Sequence, residues 1–231
     1  RVTPASDLTS FGAGCAIVFG ASGAIGTAAA NAFARAGTNL VLTAHSATPS
    51  LAERIAKPPF TANSTRVVGC DVTDPASLAA TIPIPRESFG TIHSAIVSHG
   101  ARYGTGTVAD GPLDQLRLKL EMDLFGFLNI VQAVVPVMRA DGGGAITTIV
   151  TPAIDKRSRG YGLASAPKVA VAKMVEYLAL EEGPANVRAN AIAPGVLDGG
   201  MATKISTGPA KTVIDAALAQ TPLGRMGTVE E

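Results

Sequence analysis

Short, nearly continuous apolar runs alternate with longer segments of helical periodicity along this chain. The runs fall at 15–19, 39–43, 66–70, 93–98, 145–150 and 187–192. A strand with one wet face alternates apolar and polar residues; these do not, so they read as strands buried on both faces of a parallel sheet. Between them, the alanine-rich segment 24–36 stops at Gly37, a natural C-terminal cap. Segment 112–138 carries Leu116, Leu120, Leu124, Leu128 and Val131 at helical spacing, and Pro136 is expected to distort or end it. Segment 165–181 places Val169, Ala172, Val175 and Leu178 on overlapping faces of another helix. Ser165 is expected to cap that helix, with Pro167 in its first turn, where no N–H is missed. Asp141-Gly142-Gly143-Gly144 marks a turn before the fifth strand. The pattern predicts an α/β fold: a doubly wound parallel sheet (Rossmann fold) of strand order 3-2-1-4-5-6, one domain over residues 1–231.

Composition narrows the partners. A chain of 231 residues with 47% hydrophobic and 16% charged residues can bury a sizeable core and is not disordered. Its net charge of +1 provides no basic field for nucleic acid or an acidic membrane surface. No run of about 18 apolar residues stands out, so no membrane span is expected. The first seven residues lack the charged-then-apolar order of a secretory signal, which points to a cytoplasmic protein. Cys15 and Cys70 fall in the first and third strands, roughly 10 Å apart if the second lies between them, and are expected to be buried and reduced. His45, His93 and His99 lack ligand spacing with carboxylates or thiolates, so no metal is expected.

The sharpest local signal is Gly20-Ala21-Ser22-Gly23-Ala24-Ile25-Gly26, which follows a strand and opens a helix, the context a dinucleotide fingerprint requires. Gly20 permits the sharp turn, Gly23 lets the backbone approach a pyrophosphate, and Gly26 lets helix and strand pack closely. The helix N-terminus offers free N–H groups and a positive dipole end to the anion. The second strand ends Leu42-Thr43-Ala44-His45-Ser46, with no carboxylate to hold ribose hydroxyls. His45 could stand beside a 2′-phosphate or be a solvated loop residue; the choice favours NADP(H) over NAD(H).

From about Ala13 to Glu231 these motifs resemble the short-chain dehydrogenase/reductase family. The resemblance places Asp71-Val72-Thr73-Asp74 after the third strand, where the aspartate touches the adenine. It places Ser98-His99-Gly100 at the end of the fourth strand, where only Gly100 keeps the family's Asn-Ala-Gly pattern. Val187-Arg188-Ala189-Asn190-Ala191-Ile192-Ala193-Pro194-Gly195 matches the sixth strand and its Pro-Gly turn, so Pro194, Gly195 and the next residue, Val196, are implied contacts of the nicotinamide half. Pro222 to Thr228 reads like the family's late loop.

The family's chemistry uses a tyrosine four residues before a lysine, one helical turn apart. Lys168 aligns with the lysine, a ligand of the cofactor ribose, but Ala164 occupies the tyrosine position. Tyr161, seven residues before Lys168, is the replacement that the resemblance to enoyl-thioester reductases implies; there the hydroxyl polarises a thioester carbonyl while hydride attacks the β-carbon. Thr151 supplies the hydroxyl expected at the end of the fifth strand. Asp123 stands where the family has an asparagine near the lysine, with apolar Met122, Leu124 and Phe125 around it. His99, placed near the nicotinamide, is either a second proton donor or a hydrogen-bonded wall residue.

Family members continue past the position of Glu231 with a helix and a seventh strand, which these 231 residues lack; either that tail follows Glu231 in the whole protein or the fold is trimmed, and a trimmed fold would expose a sheet edge. The leading expectation is an NAD(P)H-dependent reductase of a conjugated C=C or a carbonyl in a small, moderately hydrophobic substrate, lined by 101–111 and 196–221. The resemblance also implies a homo-oligomer, dimer or tetramer. Two alternatives stay open: a redox-silent dinucleotide-binding protein, motivated by Ala164, and a non-redox isomerase, dehydratase or cyclase using Asp123 or His99.

Overall fold

The computed structural model describes residues 11–45, 48–60, 64–101, 106–157, 159–199 and 211–231. Six parallel strands form the main sheet: β1 (Cys15–Phe19), β2 (Asn39–Ala44), β3 (Thr65–Gly69), β4 (Ile92–Val97), β5 (Gly144–Ile149) and β6 (Val187–Ile192), in the spatial order β3-β2-β1-β4-β5-β6. This is the predicted order, and the six strands lie within one or two residues of the apolar runs. A short parallel pair, β7 (Leu197–Asp198) and β8 (Gly227–Thr228), stands apart from it.

Double burial explains why the strands are legible as unbroken apolar runs. Along β1, Cys15, Ile17 and Phe19 enter one core and Ala16 and Val18 the other, the two-residue period of a strand sandwiched by helices. On one face pack α3 (Pro75–Thr81), α4 (Pro83–Phe89), α6 (Gly126–Ala140) and α7 (Gly162–Glu182); Phe127, Ile130 and Met138 are among the fully buried side chains there. Each such side chain contributes about 1.5–3 kcal/mol. The other face is covered by α1 (Ala24–Arg35) and α2 (Thr48–Ile55), with Ala30, Leu51 and Phe60 in its core. Asp74 starts α3 by accepting the Ala76 N–H at 2.9 Å, with Pro75 in the first turn, where its missing donor costs nothing. The final described helix, α8 (Lys211–Ala219), precedes β8. Cys15 and Cys70 are both free and buried, Cys70 lying just beyond the end of β3.

Two expectations about the helices need correction, and a third observation bears on the expected lack of a membrane span. The segment predicted at 112–138 is one continuous helix made of α5 (Leu113–Lys119), a π-helical stretch over Leu120–Phe125, and α6, which runs through Pro136 to Ala140. Pro136 and Gln132 are both exposed, so the carbonyl that loses its intrahelical donor is left to water, and the distortion falls at the π stretch instead. Secondly, α7 begins at Gly162 and not at Ser165: the Ser165 N–H already bonds the Tyr161 carbonyl at 2.9 Å, its hydroxyl donates to the Gly162 carbonyl, and buried Pro167 falls in the second turn. Thirdly, Leu113–Ala140 is long and apolar enough to cross a bilayer by length and composition. Its buried Lys119 and Asp123, and the packing of Phe127, Ile130, Val134 and Met138 in the core, make it a core helix.

Candidate active site

Because all six strands are parallel, their C-terminal ends share one edge of the sheet. The order reverses between β1 and β4, and the crevice opened there is where doubly wound sheets bind ligands. Gly20 leaves β1 with φ +79°, a region that favours glycine, and a Cβ on it would lie 2.7 Å from the His99 backbone nitrogen. Gly26 sits in the first turn of α1, where a Cβ would lie 2.6 Å from the Ser98 hydroxyl. Ser98 is fixed in turn, its hydroxyl donating to the Phe19 carbonyl at 2.8 Å. Gly23 takes the N-cap position of α1, and its N–H closes the turn on the Gly20 carbonyl at 3.0 Å. Ser22 and Gly23 are exposed and Ile25 is half-buried. The turn therefore presents the unpaired first N–H groups of α1 at the crevice, as an anion cradle does.

Next along the edge is the end of β2. The Ala21 N–H bonds the Thr43 carbonyl at 2.9 Å, tying the turn to this strand. His45 is exposed and lies 3.5 Å from Asp71. Asp71 is held below the usual carboxylate range by the Thr73 hydroxyl and N–H, at 2.7 and 2.9 Å, with a smaller contribution from His45. Val72 is buried against the first residue of α6: a Cβ on Gly126 would lie 2.9 Å from its side chain. Ser46 lies outside the described residues.

Sequence reasoning missed Arg54. Its guanidinium donates to the Thr27 hydroxyl at 2.5 Å, and that hydroxyl donates to the Ala21 carbonyl at 3.0 Å. A cation thus stands beside the glycine turn. Nothing in the local pattern of α2 marks it, because the contact depends on how α2 packs beside α1.

The deepest charges gather at the end of β4. Asp123, fully buried in the π stretch, accepts the Ala101 N–H at 2.9 Å through one oxygen and Lys119 at 2.5 Å through the other. Lys168, on α7, stands 3.9 Å from that second oxygen and donates to the Ile149 carbonyl at 2.9 Å. Burial, aided by the nearby Lys119 charge, pushes the Lys168 ammonium below its ordinary range, and Asp123 opposes the shift. Gly100 faces this group: a Cβ on it would lie 3.1 Å from the Asp123 carboxylate and 3.8 Å from the Lys168 nitrogen. Lys119 was not among the residues expected here. Its signal was a lysine four residues before an aspartate, in a run otherwise apolar enough for burial.

His99 resolves as a wall residue. One ring nitrogen lies 2.8 Å from the Met122 carbonyl, which accepts only, so that nitrogen carries the proton. Burial, with a smaller push from Lys168, brings the ring down to about 4, so it is neutral near pH 7 and poorly suited as a proton donor. Its other nitrogen, buried, has no partner among the described residues.

The residues expected to orient the substrate and transfer a proton lie on the next two elements. Thr151 leaves β5 and caps a short 3-10 turn, its hydroxyl accepting the Ala153 N–H at 3.3 Å. Tyr161 takes the N-cap position of α7, half-buried, immediately before the helix. Seven residues is about 20° short of two α-helical turns, which puts Tyr161 and Lys168 on one face, about 10 Å apart along the axis. Pro194 and Val196 are half-buried and Gly195 exposed just beyond β6, on the same edge. Of the expected substrate lining, 102–105 and 200–210 lie outside the described residues. Among the described residues no group of three His, Cys, Asp or Glu side chains gathers to hold a metal.

The comparisons with known proteins agree with this geometry. The family model described as Enoyl-(Acyl carrier protein) reductase matches residues 20–231. The 7alpha-hydroxysteroid dehydrogenase of Escherichia coli (strain K12) is 29% identical over 224 residues, 94% of this chain and 83% of that protein. Trans-4-hydroxycyclohexanecarboxylate dehydrogenase of Sinomonas cyclohexanicum is 30% identical over 224 residues, 94% of this chain and 81% of that one. A solved structure of 7 alpha-hydroxysteroid dehydrogenase complexed with NADH and 7-oxo glycochenodeoxycholic acid superposes with a TM-score of 0.84 at 28% identity, covering 97% of this chain and 86% of that one. The glycine turn, the strand order and the lysine on α7 have their place in that company: the chain belongs to the short-chain dehydrogenase/reductase family.

Proposed function

We propose that this NAD(P)-dependent oxidoreductase reduces a carbon–carbon double bond conjugated to a carbonyl in a small, moderately hydrophobic molecule, with NADP(H) as cofactor and Tyr161 as proton donor. The observation that carries the reading is the position of Tyr161 at the start of α7, seven residues or close to two helical turns before Lys168, while Ala164 leaves the nearer position empty of any hydroxyl. The dinucleotide supplies the hydride.

The described residues suit that cofactor. Gly20, Ser22, Gly23, Ile25 and Gly26 would take the pyrophosphate at the start of α1, and Asp71 and Val72 would border the adenine. Ser98, Gly100, Pro194, Gly195 and Val196 would border the nicotinamide half, and a side chain at Gly100 would crowd Asp123 and Lys168. Lys168 would donate to the ribose. Tyr161 and Thr151 would orient the substrate carbonyl, with Tyr161 giving the proton, and Asp123 would set the charge around Lys168. His45 and Arg54, two basic side chains near the adenosine end with no carboxylate at the end of β2, support NADP(H). Exposed Phe125, Val169, Met174 and Tyr177 support a homo-oligomer, dimer or tetramer; a cytoplasmic location is part of the same proposal.

The test uses cyclohex-2-enone, which offers both reducible groups. Reduction at the double bond yields cyclohexanone and reduction at the carbonyl yields cyclohexenol. Cyclohexanone formed with consumption of NADPH is expected, and exclusive cyclohexenol would overturn the choice of bond. Tyr161→Phe is expected to keep NADPH binding and lower turnover by about 100-fold or more, the scale of a lost general acid. Undiminished turnover would remove Tyr161 from the mechanism.

A further inference from the structure

Asp123 is flanked by two lysines, and the distances rank them. Lys119 stands 2.5 Å from the carboxylate oxygen that Lys168 approaches only to 3.9 Å. Lys119 also donates to the Ala101 carbonyl at 3.1 Å, while the other Asp123 oxygen accepts the Ala101 N–H at 2.9 Å. One turn of one helix thus grips both polar groups of the residue that follows Gly100. All three charges are largely withdrawn from water, with side-chain exposures of 9% for Lys119, 0% for Asp123 and 14% for Lys168. In such surroundings a carboxylate left with one cation binds it closely, because no solvent competes.

We propose that Lys119 is a positioning residue of this site: by occupying the Asp123 carboxylate and the Ala101 carbonyl, it keeps Asp123 from capturing Lys168 and leaves the Lys168 ammonium available to the cofactor ribose. The proposal rests on the reading of Lys168 as a cofactor ligand given above. Lys119 itself touches neither hydride nor proton; it acts through Asp123. The charged and titratable groups around Lys168 are Asp123 and Lys119 from the long helix and neutral His99 from the end of β4. With Lys119 gone, the Asp123 charge acts on Lys168 undivided, so Lys168 retains its proton to higher pH and is drawn away from the ribose.

NADPH binding, followed by nicotinamide fluorescence from neutral to alkaline pH, reads both effects without a substrate. Lys119→Met is expected to weaken binding several-fold at neutral pH and to move its alkaline loss to higher pH, with Lys119→Arg close to wild type. Should Lys119→Met not fold, Lys119→Gln carries the same test, since its amide is a neutral donor and the Asp123 carboxylate through which Lys119 acts is kept. It too is expected to weaken binding at neutral pH and to move the alkaline loss to higher pH. An unmoved limb in whichever of the two variants folds overturns the positioning role even where melting temperatures fall. Lys168→Met separates the two readings. If it binds NADPH like wild type with the same limb, the cofactor role of Lys168 fails; if it loses binding while the Lys119 variants leave the limb unmoved, the Lys119 inference alone fails.

Discussion

The Ser98 hydroxyl is locked against the Phe19 carbonyl at a point where a methyl group on Gly26 would lie 2.6 Å from its oxygen. The β1 and β4 ends and the first turn of α1 therefore meet at one spacing that admits only hydrogen on Gly26. Gly26→Ala is expected to cost about 1–3 kcal/mol by overpacking. That corresponds to a fall of about 2–12 °C in melting temperature for a chain of this size. NADPH affinity should fall with it, since α1 must tilt. An unchanged melting curve and unchanged affinity would show that the contact yields without moving the helix.

Arg54→Ala tests the adenosine end. A charge-assisted hydrogen bond is worth about 1.5–3 kcal/mol. If Arg54 serves a 2′-phosphate, NADPH affinity drops by about tenfold or more and NADH affinity stays put. Parallel titrations with the two cofactors measure this; an equal loss for both would mean that Arg54 only braces Thr27.

His99 gives the protein an acid-sensitive component. Its ring is held at about 4 in the folded protein by burial, against about 6.5 in the unfolded chain. Between those values the unfolded state binds the extra proton, so this contribution to stability is complete above about pH 6.5 and is lost as pH falls toward 4. The difference amounts to about 3 kcal/mol. Urea melts of wild type and His99→Gln should diverge in slope across this window, with the variant the flatter; parallel slopes would refute the assignment. The Asp71 carboxylate, whose folded value is lowered, adds its own loss only at more acid pH.

Burial raises the Cys15 thiol to about 12 and also raises Cys70. A thiol needs its thiolate to react, so neither should be labelled by a disulfide reagent at neutral pH in the native protein, and both should be once unfolded. Fast labelling of native protein would place a thiol nearer the surface than its burial indicates.

The sheet was legible in the sequence because strands buried on both faces leave no polar register to blur; β1 and β6 were read with their observed bounds. Helix limits were harder, since they turn on single contacts. Pro136 reads as a stop, yet the helix passes it because the freed Gln132 carbonyl faces water. Ser165 reads as a cap, but the turn residues Gly160, Tyr161 and Gly162 hid three further helical positions. At the site, Lys168, Asp123 and the glycine turn were found because each sits at a fixed offset within a motif. Lys119 and Arg54 were missed because each matters through a partner that only folding brings near: the Ala101 carbonyl, 18 residues away, and the Thr27 hydroxyl, 27 residues away.

The π stretch at Leu120–Phe125 sets the phase of everything before it. A wide turn takes one more residue than an α-helical turn, so α5 and α6 number their faces from different origins, and the evenly spaced Leu116, Leu120, Leu124 and Leu128 do not form a single stripe. Removing one residue within the stretch would let it relax to ordinary helix and rotate Leu113–Lys119 by about 100° about the axis. The core grip of α6 would survive that rotation, but Lys119 would swing away from Ala101. The charge cluster at the mouth of the crevice thus depends on the chain carrying one residue beyond what a regular helix would need.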